Sequence, residues 1–157
     1  MSRTDKLEAV SCGLRKVIHQ IKFILEDHEN ALSFHGCQSE DESLDCSHQR
    51  AFEFYQEDFF RWKGIKDAFV DLIDQFDSPQ FAVPTTLDEI HLRIDVLFNN
   101  HMADAKSMPE FYNSTWSQYY TRSLQFIKSI LPESNEKSPW NIANIRPRIE
   151  SLSLIGA

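Results

Sequence analysis

Residues 35–48 read HGCQSEDESLDCSH, and the fold depends on whether the chain reverses there. Before this stretch Leu7, Val10, Leu14, Val17, Ile18, Ile21, Ile24, Leu25 and Leu32 recur every three or four residues, the period of one helical face. After it Phe52, Tyr55, Phe59, Trp62, Ile65, Phe69, Leu72, Ile73 and Phe76 do the same. Between the two stripes, 37–45 has no apolar period and carries Glu40, Asp41, Glu42 and Asp45. A segment with nothing to bury and four like charges predicts a loop, and Gly36 offers a left-handed helix stop just ahead of it. The expectation is a hairpin of two helices, at about 3–35 and about 46–77, each roughly 45 Å long. Ser2 and Asp5 fit a capping box for the first.

The same reading carries through the rest of the chain. DSPQFAVPTT at 77–86 holds two prolines and ends the second helix. Thr86 and Glu89 form a capping box for a third helix at about 87–106, with Leu87, Ile90, Ile94, Leu97, Phe98 and Met102 on one side. Pro109 restarts the pattern, and Tyr112, Trp116, Tyr119, Tyr120, Leu124, Ile127 and Leu131 line a fourth helix at about 108–131 that Pro132 ends. Pro139 and Pro147 each fit the start of a short helix, at about 139–145 and about 147–155. No segment alternates with period two as a strand would. The predicted fold is all-α: a single domain over 1–157, an up-down-up-down four-helix bundle of long helices with one or two short C-terminal helices.

The second helix has an unusually broad apolar arc, with Phe54 and Phe60 on opposite margins of its stripe. Such a helix is either central in the bundle or touches a partner. Cys12, Phe23 and Phe34 on the first helix, and Leu92 and Val96 on the third, also lie off the main stripes. They predict a further surface, covered by the C-terminal helices or used in self-association as a homo-oligomer.

Composition narrows the function classes. A formal charge of −8 opposes attraction to nucleic-acid backbones and anionic membranes, both of which need a basic surface. No apolar run approaches the roughly 20 residues of a membrane span, and the charged N-terminus leads straight into a helical pattern. A cytoplasmic location is expected, in which Cys12, Cys37 and Cys46 are free thiols or metal ligands rather than a disulfide framework. The chain has no glycine-rich phosphate loop, no G-x-S-x-G elbow, no H-E-x-x-H and no C-x-x-C, so no catalytic residues are assigned.

The opening stretch also supplies the one constellation with metal-ligand chemistry. His35-x-Cys37 leaves the first helix and Cys46-x-His48 enters the second. Two cysteines and two histidines suit tetrahedral zinc, and a metal there would clasp the hairpin. An i, i+2 pair converges only on an extended or turned backbone, so this reading requires the first helix to stop by about Phe34. The competing reading is a solvated acidic loop, with His35 favoured near a helix C-terminus by the dipole. A second metal reading places His28, Asp58, His101 and Asp104 together inside the bundle, because up-down-up-down topology gathers those helix ends at one pole. More often a buried histidine beside an aspartate is a hydrogen-bonded pair.

The function expected from these residues is a small acidic protein-binding module, of inhibitor, immunity or adaptor type. It would meet a partner with a basic surface through Glu40, Asp41, Glu42 and Asp45 of the loop and Glu53, Glu57, Asp67 and Asp71 on the outer face of the second helix. A metal-binding helical bundle, with zinc as a structural clasp or in a metal-dependent enzyme or sensor, is the alternative.

Overall fold

Apolar residues at three- and four-residue spacing produce helices wherever the computed structural model describes the chain: residues 3–39, 47–77, 86–107, 114–131 and 140–152. Side chains are described for 7–34, 49–75, 86–107, 114–131 and 140–152. Among the described residues there are five helices and no strand: α1 (Arg3–Ser39), α2 (Ser47–Asp77), α3 (Leu87–Ser107), α4 (Thr115–Ile130) and α5 (Ile142–Ser151).

Hydrogen bonds between helices fix their directions. His28 on α1 meets Asp58 on α2, so the two helices fold back as a hairpin. Asp67 and Asp71 on α2 meet Trp116 and Tyr120 on α4, four residues on in both helices, so α2 and α4 run parallel. His101 pairs with Ser117 while the earlier Asp95 pairs with the later Lys128, so α3 is antiparallel to α4. The order is up, down, up, down, with α2 against both α1 and α4, and α3 resting on α4 and α2.

Direct contact of the parallel pair needs a thin place in α2, and Gly64 supplies it. A Cβ at Gly64 would lie 2.5 Å from the Trp116 carbonyl oxygen and 3.0 Å from Tyr119 Cβ. The helix accepts the roughly 1 kcal/mol that glycine costs relative to alanine because only a bare backbone lets α4 approach so closely. The core then closes from every helix: Val10, Leu14, Val17 and Ile21 of α1, Ile65, Phe69 and Leu72 of α2, Ile90 of α3, Leu124 and Ile127 of α4, and Ile145 and Ile149 of α5 are all fully buried. Ser117, Thr121 and Ser123 on α4 are buried as well. Thr121 and Ser123 donate their hydroxyl protons to carbonyls four residues back, at 3.1 and 2.6 Å, so neither is left unsatisfied in the core.

Three expected boundaries are corrected. The first helix does not stop at about 35; α1 continues through Gly36 to Ser39. Glycine permits a left-handed stop without imposing one, and no proline stands there to force it. The fourth helix begins at Thr115 rather than 108, with the Ser114 side chain accepting from Ser117 N–H as N-cap, while the expected first turns at 108–113 lie outside the described residues. The two short C-terminal helices are one helix, α5, with Pro147 inside it. Asn141 starts α5 by accepting from Ala143 N–H at 2.9 Å. Continuing past Pro147 keeps Ile145 and Ile149, one turn apart, both in the core.

The α5 segment wedges across the bundle. Trp140 occupies the slot left by the missing side chain of Gly13 on α1, the N–H of Ile142 donates to Gln20 at 3.2 Å, and Leu152 ends beside Phe98 and Leu124. The α1–α2 hairpin extends past the start of α4. Thr115 lines the same groove as Phe60 and Lys63, so among the described residues the first dozen or so of α2, about 20 Å of helix, and the facing part of α1 form an arm. Phe34 and Phe54 on this arm are more than half exposed.

Candidate functional site

The arm is rooted in a buried polar knot. Asp58, only 5% exposed, accepts from His28 Nε2 at 2.7 Å and from both terminal nitrogens of Arg146 on α5, with Arg61 at 3.5 Å. Burial alone would raise the Asp58 pKa; hydrogen bonds from Arg146 and His28, helped by their charges, outweigh it and hold the carboxyl at about 2. An ionised carboxylate only accepts, so His28 Nε2 carries the proton. The His28 Nδ1 atom is buried without a hydrogen-bond partner among the described residues, and the ring stands edge-on to Tyr55. The Arg146 guanidinium also lies over Trp62, 4.6 Å from the ring centroid. His28 and Asp58 therefore come together, and the Arg146 guanidinium shares the same carboxylate.

The other two residues of the interior metal reading go elsewhere. His101 Nε2 shares a 2.6 Å hydrogen bond with Ser117 Oγ, while Asp104 is exposed on the same helix. Burial lowers the His101 pKa, opposed in part by the Asp104 charge. Ser117 is fully buried, so the serine–histidine pair ties α3 to α4 and offers no open nucleophile. Among the described residues, no group of three or more histidine, cysteine, aspartate and glutamate side chains is placed to hold a metal.

Asp67 and Asp71, expected on an outer face, instead grip α4. Trp116 Nε1 donates to Asp67 and the Tyr120 hydroxyl donates to Asp71, each at 2.7 Å, and the two rings are stacked with centroids 5.2 Å apart. The His101 ring lies tilted against Tyr120, with centroids 4.8 Å apart. Burial raises the Asp71 pKa, the Tyr120 hydrogen bond opposes this, and the charges of Asp67 and Asp74 reinforce it. Burial and the bond to Asp71 push the Tyr120 phenol well above its ordinary value. Sequence reasoning missed this clamp, although its signal was present: an i, i+4 pair of carboxylates on one helix and an i, i+4 pair of aromatic donors on another.

Glu53 and Glu57 are exposed on the arm as expected, Glu53 accepting from Gln49 at 3.0 Å and Glu57 paired with Arg61 at 2.9 Å. The side chains of Glu40, Asp41, Glu42 and Asp45, and of the zinc candidates His35, Cys37, Cys46 and His48, lie outside the described residues. The backbone at His35 and Cys37 is helical, not the extended or turned form that their joint ligation was expected to need.

Beside the arm, Phe60, Lys63 and Asp67 of α2 and Ser114, Thr115 and Trp116 at the start of α4 enclose an apolar groove of about 520 Å³. Phe60 is 42% exposed there. Lys63 and Asp67 pair at 3.5 Å, so the groove itself is close to neutral. The molecule is thus an all-α bundle with an acidic helical arm and an aromatic groove at the root of the arm. No known family, curated protein or solved structure matches the chain. No helix among the described residues is long and apolar enough to cross a membrane.

Proposed function

We propose that the chain is a protein-binding module whose arm engages a partner with a basic surface, in the manner of an inhibitor, immunity or adaptor protein. One observation carries this reading: the charge is concentrated. Residues 22–61, the half of the hairpin that contains the loop, hold ten acidic and three basic residues, a formal charge of −7 against −8 for the whole chain. The remainder is nearly neutral. Glu26, Asp27, Glu29, Glu53 and Glu57 are exposed there, interspersed with the exposed rings of Phe34 and Phe54. An acidic field on a helical arm steers a basic partner and fixes its orientation, while exposed aromatic rings supply contact area that a merely solvating face does not need.

A photo-reactive residue at Phe54 tests this in extracts of the native cell. The expected result is a cross-link to a protein with a basic surface from Phe54 and none from the same group at Leu92 on α3. Cross-links from Leu92 alone would move the interface off the arm.

A further inference from the structure

The apolar groove lies at the root of the arm, beside its exposed acidic side chains. We infer that it receives one bulky apolar side chain of a basic segment whose lysines and arginines run along the arm. This inference rests on the protein-binding reading above.

Three observations commit the groove to that occupant. Trp116 is held from behind, its Nε1 on Asp67 and its ring stacked on Tyr120, so the groove wall is fixed before anything binds. Preorganised aromatic walls give binding energy without an ordering cost. Phe60 lies off the buried face of α2 that carries Ile65, Phe69 and Leu72; its ring stands edge-on to Phe59 and lines the opposite wall. The Lys63–Asp67 and Arg61–Glu57 pairs leave the groove and its near rim neutral, while the exposed Glu53 follows about two turns along the arm, so a neutral anchor fits the groove and positive flanks fit what lies beyond. The volume falls in the range of about 300–1,000 Å³ found for binding pockets. A second copy of this chain is a poor occupant, since two 22–61 segments of formal charge −7 would be brought together.

The test uses the full chain and a synthetic lysine–serine peptide with one central phenylalanine. Binding is read by anisotropy of labelled peptide at 50 mM salt and by the indole N–H resonance of Trp116, assigned with Trp116→Phe. The expected result is a shift of that resonance on adding peptide, and affinity weakened about 10-fold or more by Phe60→Ala. Replacing the peptide phenylalanine by serine should cost as much, whereas Leu92→Ala, an exposed apolar side chain on α3, should cost nothing. If Phe60→Ala and the serine peptide bind like the originals while Glu53→Lys/Glu57→Lys weakens binding, the groove inference fails and the acidic arm stands. If the peptide does not bind the unaltered chain, both fail.

Discussion

Asp58 shows how a single residue ties three helices together. Its carboxylate joins α2 to α1 through His28 and to α5 through Arg146, almost without solvent. Removing one partner of a buried ion pair typically costs about 3–5 kcal/mol, because the remaining charge is stranded. Arg146→Met should therefore lower the urea midpoint by more than Arg148→Met, whose guanidinium is over Phe126 on an exposed position. The pH dependence follows with its sign. The Asp58 pKa is depressed from 3.8 to about 2, so its contribution, on the order of 2 kcal/mol, is complete above 3.8 and lost as pH falls towards 2. His101 acts earlier: its folded pKa lies below 6.5, the unfolded chain takes up the proton first, and stability falls as pH drops below 6.5. Asp71 acts in the opposite sense, since a raised folded pKa means that protonation relieves a cost as pH falls towards 3.8. Urea midpoints across pH 4–7 should show a decline below 6.5 that His101→Gln reduces.

At the scale of elements, two local rules give way to packing. Gly64→Ala improves helix propensity yet should destabilise the chain by about 1–3 kcal/mol, since the added methyl meets α4 backbone. Chemical denaturation reads the sign; a stabilised variant would show that α2 and α4 are not in close contact. Pro147 is exposed inside α5 and deprives the Ala143 carbonyl of its helical donor. Pro147→Ala should raise the melting temperature, with the gain from the restored bond reduced by the greater freedom of the unfolded chain. These positions also show what was legible in the sequence. Apolar period revealed all four long helices, because burial on one face repeats along the whole element. Gly36 and Pro147 misled as boundaries because each is a single-residue preference, overridden when the residues beyond it continue the helix. Asp67 and Asp71 read as a solvated face because a carboxylate at the margin of a helix has the same spacing whether it meets water or an indole N–H. Arg146 gave no signal, since its partner is 88 residues away in the chain.

For the whole molecule, the separation of charge from core matters most. The buried aromatic and aliphatic side chains pack the five helices together, and the excess of acidic over basic residues falls in 22–61, where ten acidic residues face three basic ones, while the rest of the chain is nearly balanced. Net charge would draw a basic partner to any face, whereas a localised field draws it to one. The most direct measurement compares two variants of equal net charge, Glu53→Lys/Glu57→Lys on the arm and Glu8→Lys/Asp74→Lys at exposed positions away from it, for affinity towards the same lysine-rich peptide over 50–300 mM salt. The arm variant should lose affinity about 10-fold or more at low salt, with a shallower salt dependence, while the other binds almost like the unaltered chain. Equal losses in both would mean that the partner is drawn by net charge and not by the arm.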